Sequence, residues 1–309
     1  MRNLMTGLIY SAVAFGGLLC GTMDAADKDT PKVRVLIVDG QNNHDWESTS
    51  PYLKRVLEET GRFEVSRVTS PPKGSPASAW DAFRPDFRQF NTVLVNYNGE
   101  LWPKEVQTAF EKYVAEGGGL VAVHAANNAF PQWAAWNQMI GLGWRGPDFG
   151  PRLTLDGEGQ SVVTPAGEGP GAGHGPTYAY SVVIRDRRHP VSQGLPAEWM
   201  HAVDELYHGQ RGPIENIHVV ATAYSAPDKR GTGAHEPMAW WIPYGKGRAF
   251  TTVLGHVRSN GSETTPAMRC RGFQTLVARA CEWTATGKVT LPVPADFPTA
   301  EEVSLGPGY

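Results

Sequence analysis

Short apolar runs alternate with amphipathic stretches through the first half of this chain. Residues 32–38 (KVRVLIV), 63–68, 91–97 (NTVLVNY) and 120–124 are largely β-branched and apolar, and turn residues bound each of them. Such runs read as strands buried on both faces of a parallel sheet. Between them, residues 50–59, 104–115 and 132–140 show helical spacing. The middle helix follows Pro103, sets Val106, Phe110, Tyr113 and Val114 on one face and stops at Gly117. Strand and helix in alternation predict right-handed crossovers.

After Gly141 the pattern changes. Residues 150–177 hold many glycines and read as loops with short strands. Residues 180–184, 218–224, 238–242 and 249–254 read as further strands, and Gly245-Lys246-Gly247 is a hairpin signal between the last two. Residues 265–286 read as a closing amphipathic helix containing both Cys270 and Cys281, too far apart along it for a disulfide. Residues 69–86, rich in Pro and Ser, read as a surface excursion, and Pro-rich 291–309 as a loose tail. No repeat or linker interrupts 32–290, which is expected to form one elaborated domain.

The first residues differ from the rest. A charged start at Arg2 precedes an uncharged apolar run over 4–23, then Ala25-Ala26. This is the layout of a secretory signal over residues 1–26, predicting a periplasmic or secreted protein. A membrane anchor is the alternative, but glycines and Ser11 dilute the run. Cys20 would suit lipid attachment, yet Leu19 is bulky where a small residue is expected. The formal net charge is −3 and no basic run exists, which argues against nucleic acid as partner. A homo-oligomer remains compatible.

Polar residues gather at the expected strand ends. His44-Asp45-Trp46 follows the first strand, Asn98, Glu100 and Trp102 the third, and His124 with Asn127-Asn128 the fourth. His256 follows the last, behind Gly255, which allows close backbone approach. In open α/β sheets, sites form at the carboxyl ends of strands. Each histidine also has a plainer reading: His44 as a solvated loop residue, His124 as a core histidine, His174 as a free residue of a Gly-rich loop. Asp204-Glu205 could cap a helix, or act as base or ligand. No HExxH, paired CxxC, GxSxG or phosphate-binding lysine loop is present. Imidazoles from distant segments could still assemble a metal site in space.

Taken together, the HDW loop, GGGLVAVHAA, RDRRHPVSQGLP, DELY and GKGRAFTTVLGH resemble the ThuA-like (trehalose utilisation) family across residues 33–283. The resemblance implies an α/β fold of the flavodoxin-like, class I glutamine amidotransferase-like kind, with a parallel sheet, flanking helices and an irregular, strand-containing C-terminal half. In true amidotransferases a cysteine occupies the strand-to-helix elbow. Here that place falls to His124, and thiolate glutaminase chemistry is disfavoured.

The resemblance further implies a small-molecule carbohydrate as partner, a disaccharide or a 3-keto-glycoside. Catalysis would fall to His124, Glu205, His44 and His256. His124 or Glu205 would be the base, and His44 and His256 would polarise the carbonyl, directly or through a divalent metal such as zinc held with His124. Trp46 and Trp102 would stack on sugar, and Asn98, Glu100, Asn127, His174 and Asp204 would complete the binding set. A metal-dependent hydrolase on another substrate and a non-catalytic carbohydrate-binding protein are the alternatives.

Overall fold

The computed structural model describes Met1 and residues 31–258 and 266–308. The expected signal segment and Cys20 lie outside the described residues. From Lys32 on, the described residues form one compact unit.

The strands are β1 (Val33–Asp39), β2 (Phe63–Thr69), β3 (Thr92–Val95), β4 (Gly119–Val123), β5 (Arg152–Leu155), β6 (Ser161–Thr164), β7 (Gly173–His174), β8 (Tyr178–Ile184), β9 (Glu198–Asp204), β10 (Tyr207–His208), β11 (His218–Tyr224), β12 (His235–Tyr244) and β13 (Gly247–Thr252). The helices are α1 (Trp46–Glu59), α2 (Lys104–Ala115), α3 (Ala134–Ile140), α4 (Pro266–Arg269) and α5 (Arg271–Thr286). The main sheet runs β2-β1-β3-β4-β13-β12-β11-β8-β9. Its first five strands are mutually parallel. With β13 as fifth strand, their order is the flavodoxin-like 2-1-3-4-5. The remaining four continue antiparallel. The seam is the β12–β13 hairpin: its tight turn makes β13 antiparallel to β12, while Arg248–Thr252 run parallel to β4.

Alternation along β1 explains the two cores. Val33, Val35 and Ile37 pack with Tyr52, Leu53 and Leu57 of α1 and Leu276, Val277 and Ala280 of α5. Leu36 and Val38 point the other way, onto Val106, Phe110 and Tyr113 of α2 and onto Trp102 and Trp136. A two-residue period feeds both layers from one strand.

Three expectations need correction. Helix α1 begins earlier than residue 50, because Asp45 caps it by accepting from the Ser48 N–H at 3.1 Å. The closing helix is broken at Cys270, which lies between α4 and α5 with non-helical backbone, so only Cys281 sits within the long helix; both are free and buried. The segment after residue 290 is not loose. Thr299 O accepts from Met200 N, Pro307 O from the Tyr52 hydroxyl, and Leu305 bridges to Cys270. Strand β9 lay outside the sequence expectation. Its residues, EWMHAVD, include charged, histidine and small positions that obscure a strand pattern.

Candidate active site

Strands β1, β4 and β13 end on one rim, and each delivers a histidine there. The His44 and His124 rings lie 4.9 Å apart, His44 and His256 5.0 Å, and His124 and His256 5.4 Å between centroids. His124 opens a short 3-10 turn with φ of 46°, a left-handed backbone that a non-glycine residue adopts at a cost. Its Nδ1–H donates to Val253 O at 2.7 Å, and its Nε2 accepts from the Tyr207 hydroxyl at 3.1 Å. His44 repeats the pattern: Nδ1–H donates to Val257 O at 2.8 Å, and Nε2 accepts from Asn43 at 3.2 Å. A backbone carbonyl on Nδ1 fixes the tautomer and leaves Nε2 as acceptor. Burial, reinforced by His256, depresses His44 to about 4. Burial, then His44 and His256, holds His124 well below the ordinary range. Both rings are therefore neutral near pH 7.

A cleft of about 560 Å³ opens beside this cluster, lined by Asn43, His44, His174, Glu205, Arg230, His256 and Arg258 among others. His124 is not among its lining residues; it borders a small, partly enclosed cavity shared with His44 and Asn96. Among the described residues Glu205 is the one carboxylate lining the cleft. Its Oε1 lies 3.3 Å from His256 Nε2 and 3.4 Å from His174 Nε2. Burial raises its carboxyl above the usual value; His174 opposes that shift and Asp204 adds to it. His174 belongs to the Gly-rich loop, which is tied down by pairing of β7 with β10, Tyr207 opposite His174.

Asp204 does not face the cleft. It is fully buried, and its carboxylate is saturated by the chain itself. Oδ1 accepts from the Glu205 N–H at 2.7 Å and the His256 N–H at 3.0 Å. Oδ2 accepts from the Gly255 N–H at 2.8 Å and from His201 Nε2 at 2.7 Å. Burial alone would depress His201, but the Cys270 thiol and Asp204 override it and lift the ring to about 9. A buried imidazolium–carboxylate pair thus pins the two segments that carry Glu205 and His256. Gly255 is required at its turn: φ is +100°, and a Cβ would stand 2.7 Å from the Phe273 ring.

The other expected binding residues separate into two groups. Trp46, Asn98 and Glu100 line a second cleft, described below. Trp102 and Asn127 are interior. Trp102 is 1% exposed and packed among Phe83, Phe110, Phe130 and Trp133, so it builds the core and offers no face to a sugar. Asn127 is buried and donates to Gln210 at 2.5 Å. Asp204 likewise orders the backbone and reaches no ligand. Sequence reading missed Tyr207, His201, Arg230 and Arg258. Tyr207 and Arg258 each lie two residues from a flagged one; His201 was visible as a histidine without an assigned role, and Arg230 carried no local signal.

The donor chemistry of three neutral imidazoles suits a divalent ion, but the present geometry does not make a coordination shell. The Nε2 atoms of His44, His124 and His256 turn to Asn43, Tyr207 and Glu205 respectively. Among the described residues no group of three His, Cys, Asp or Glu is placed to hold a metal.

The parallel core and the rim of strand-end residues define a flavodoxin-like α/β protein of the glutamine amidotransferase-like type. The model of the ThuA family, trehalose utilisation, matches residues 34–284, and the chain belongs to that family. A ThuA-like protein from Parabacteroides merdae is 42% identical, with a TM-score of 0.83 over 89% of this chain and 98% of that one. A ThuA-like protein from Bacteroides uniformis shares the fold at 16% identity, with a TM-score of 0.52 over 87% and 98%. No curated protein matches the chain.

Proposed function

We propose that this protein is an exported enzyme acting on keto-glycosides, with Glu205 as the group that moves the proton. The observation that carries this reading is the Glu205 carboxylate, raised by burial, set between two imidazoles at the mouth of an open cleft. A carboxyl lifted toward neutrality is suited to act as base and then as acid.

A ketone at C3 of the sugar acidifies the hydrogen at C2. The Glu205 carboxylate takes that proton, and the electron pair of the C2–H bond passes to the C3 oxygen as an enolate. The enolate collapses to a C1–C2 double bond and expels the glycosidic oxygen from C1. The carboxyl of Glu205 returns its proton to that oxygen, giving an enone and an alcohol. Among the described lining residues, the guanidinium groups of Arg230 and Arg258 carry permanent positive charge, available to the enolate oxygen. His44 acts as an acceptor here, since its Nδ1–H is committed to Val257. This replaces the expectation that it polarises the carbonyl directly. His124 supports His44 and Tyr207 from behind.

Glu205→Gln keeps the shape and removes the base. Turnover of a 3-keto-glycoside is expected to fall by about 10²–10⁴. Wild-type turnover in that variant removes Glu205 from the mechanism. A metal-assisted form is the second reading, favoured by the Nδ1-anchored tautomers of His44 and His124. It requires their Nε2 atoms to leave their present partners. Turnover lost on chelation and restored by zinc selects it.

A further inference from the structure

Asn43 lines two clefts. The second, of about 720 Å³, lies over the carboxyl ends of β1 and β3. That is where strand order reverses in this topology, the usual place for a ligand. Its walls include Gln41, Trp46, Lys73, Asn98 and Glu100. Both cleft volumes fall within the roughly 300–1,000 Å³ of small-molecule sites.

Trp46 is unlike the protein's other tryptophans. Four of the ten are half-buried: Trp46, Trp80, Trp144 and Trp241. Trp80, Trp144 and Trp241 each pack against another aromatic ring. Trp46 has no ring neighbour among the described residues, and it borders the cleft from the first position of α1. The polar groups around it are already ordered. Asn98 Nδ2 donates to Asn43 Oδ1 at 2.6 Å, Gln41 Nε2 donates to Glu100 Oε2 at 3.2 Å, and the Gly74 N–H donates to the same oxygen at 3.1 Å. The loop carrying Asn98 and Glu100 approaches so closely that a Cβ on Gly99 would stand 2.3 Å from that of Gln41.

An aromatic side chain without a ring partner, set among fixed amides and a carboxylate, matches the chemistry of a pyranose. The sugar's C–H face packs on the indole, and its hydroxyls pair with the polar groups. We infer that this cleft is a second glycosyl subsite, continuous with the first through Asn43, so that the ligand spans two sugar rings. The inference rests on the keto-glycoside reading of the first cleft. Asn43 would stand at the glycosidic junction, near the bond that breaks.

The test compares a 3-keto-disaccharide with the methyl glycoside of the same keto ring. Both are titrated by calorimetry and assayed for turnover with wild-type protein, Trp46→Ala and Trp46→Phe. Wild type is expected to bind the disaccharide about tenfold more tightly, the size of one good aromatic contact. Trp46→Ala erases that preference, and Trp46→Phe restores most of it. No preference in wild type, or a preference unaltered in Trp46→Ala, overturns the subsite. If wild type turns over neither sugar yet keeps a Trp46-dependent preference in binding, the subsite stands and the acid–base reading falls.

Discussion

The parallel and antiparallel halves of the sheet supply different chemistry to the same rim. The parallel half contributes His44 and His124, each tied by Nδ1 to a backbone carbonyl and held neutral by burial. The antiparallel half contributes Glu205 and, beneath it, the buried pair of His201 and Asp204. His256 enters at the seam, just after β13, which is parallel to β4 on one side and antiparallel to β12 on the other. One half presents lone pairs, and the other presents a protonatable carboxyl braced by an ion pair. The difference teaches that a site of this kind needs the seam. A purely parallel sheet would bring the imidazoles together without the carboxylate opposite them.

The largest effect expected is the loss of turnover in Glu205→Gln, which tests whether the antiparallel half holds the reacting group. Asp204→Ala comes next. It removes the carboxylate partner of the buried His201 ring and frees three backbone N–H groups. Chemical denaturation should show a loss of about 3–5 kcal/mol. An unaltered midpoint would mean that the pair does not brace the seam. Trp102→Leu should cost about 1–3 kcal/mol by opening a gap among the aromatic rings. The folded fraction should keep its affinity for sugar, because Trp102 is interior to the parallel half. A changed affinity would return Trp102 to the binding set.

The smallest effects are those of pH, and the two halves should respond in opposite directions. His201 is raised to about 9 in the fold, from 6.5. The stability it contributes is fully present below 6.5 and is lost as pH rises through about 9. His44 is lowered to about 4. Between 6.5 and about 4 the unfolded chain binds a proton that the folded one does not, so stability falls with acid across that window. Melting temperatures measured from pH 4 to pH 10 should fall at both ends. In Asp204→Asn the alkaline decline should be blunted, since the carboxylate that helps raise His201 is gone. A decline as steep as in wild type would assign it to other groups.

Much of the parallel half was legible in the residue pattern. Runs such as VLIV within β1 and GLVAV of β4 are apolar on both faces because both faces are covered, so strand and burial coincide in the text of the sequence. The helix over 104–115 carried its start and stop in Pro103 and Gly117. The antiparallel half was less legible. Strand β9 carries Glu198, His201 and Asp204, and the last two are buried because they satisfy each other. No local rule announces that a charged pair will be interior. The same limit misplaced Trp102 and Asn127, whose distance along the chain from His124 says nothing about which side of the sheet receives them.

The chain by itself determined the strands and helices of the parallel half and which segment ends carry histidine, because hydrophobic period and turn chemistry act over a few residues. Tertiary structure alone decided that Glu205 meets two imidazoles, that Asp204 faces inward, and that the tryptophan of the HDW loop has no ring partner among the described residues. Those outcomes depend on contacts between residues far apart in the chain, where burial and charge are set by neighbours that local sequence does not name.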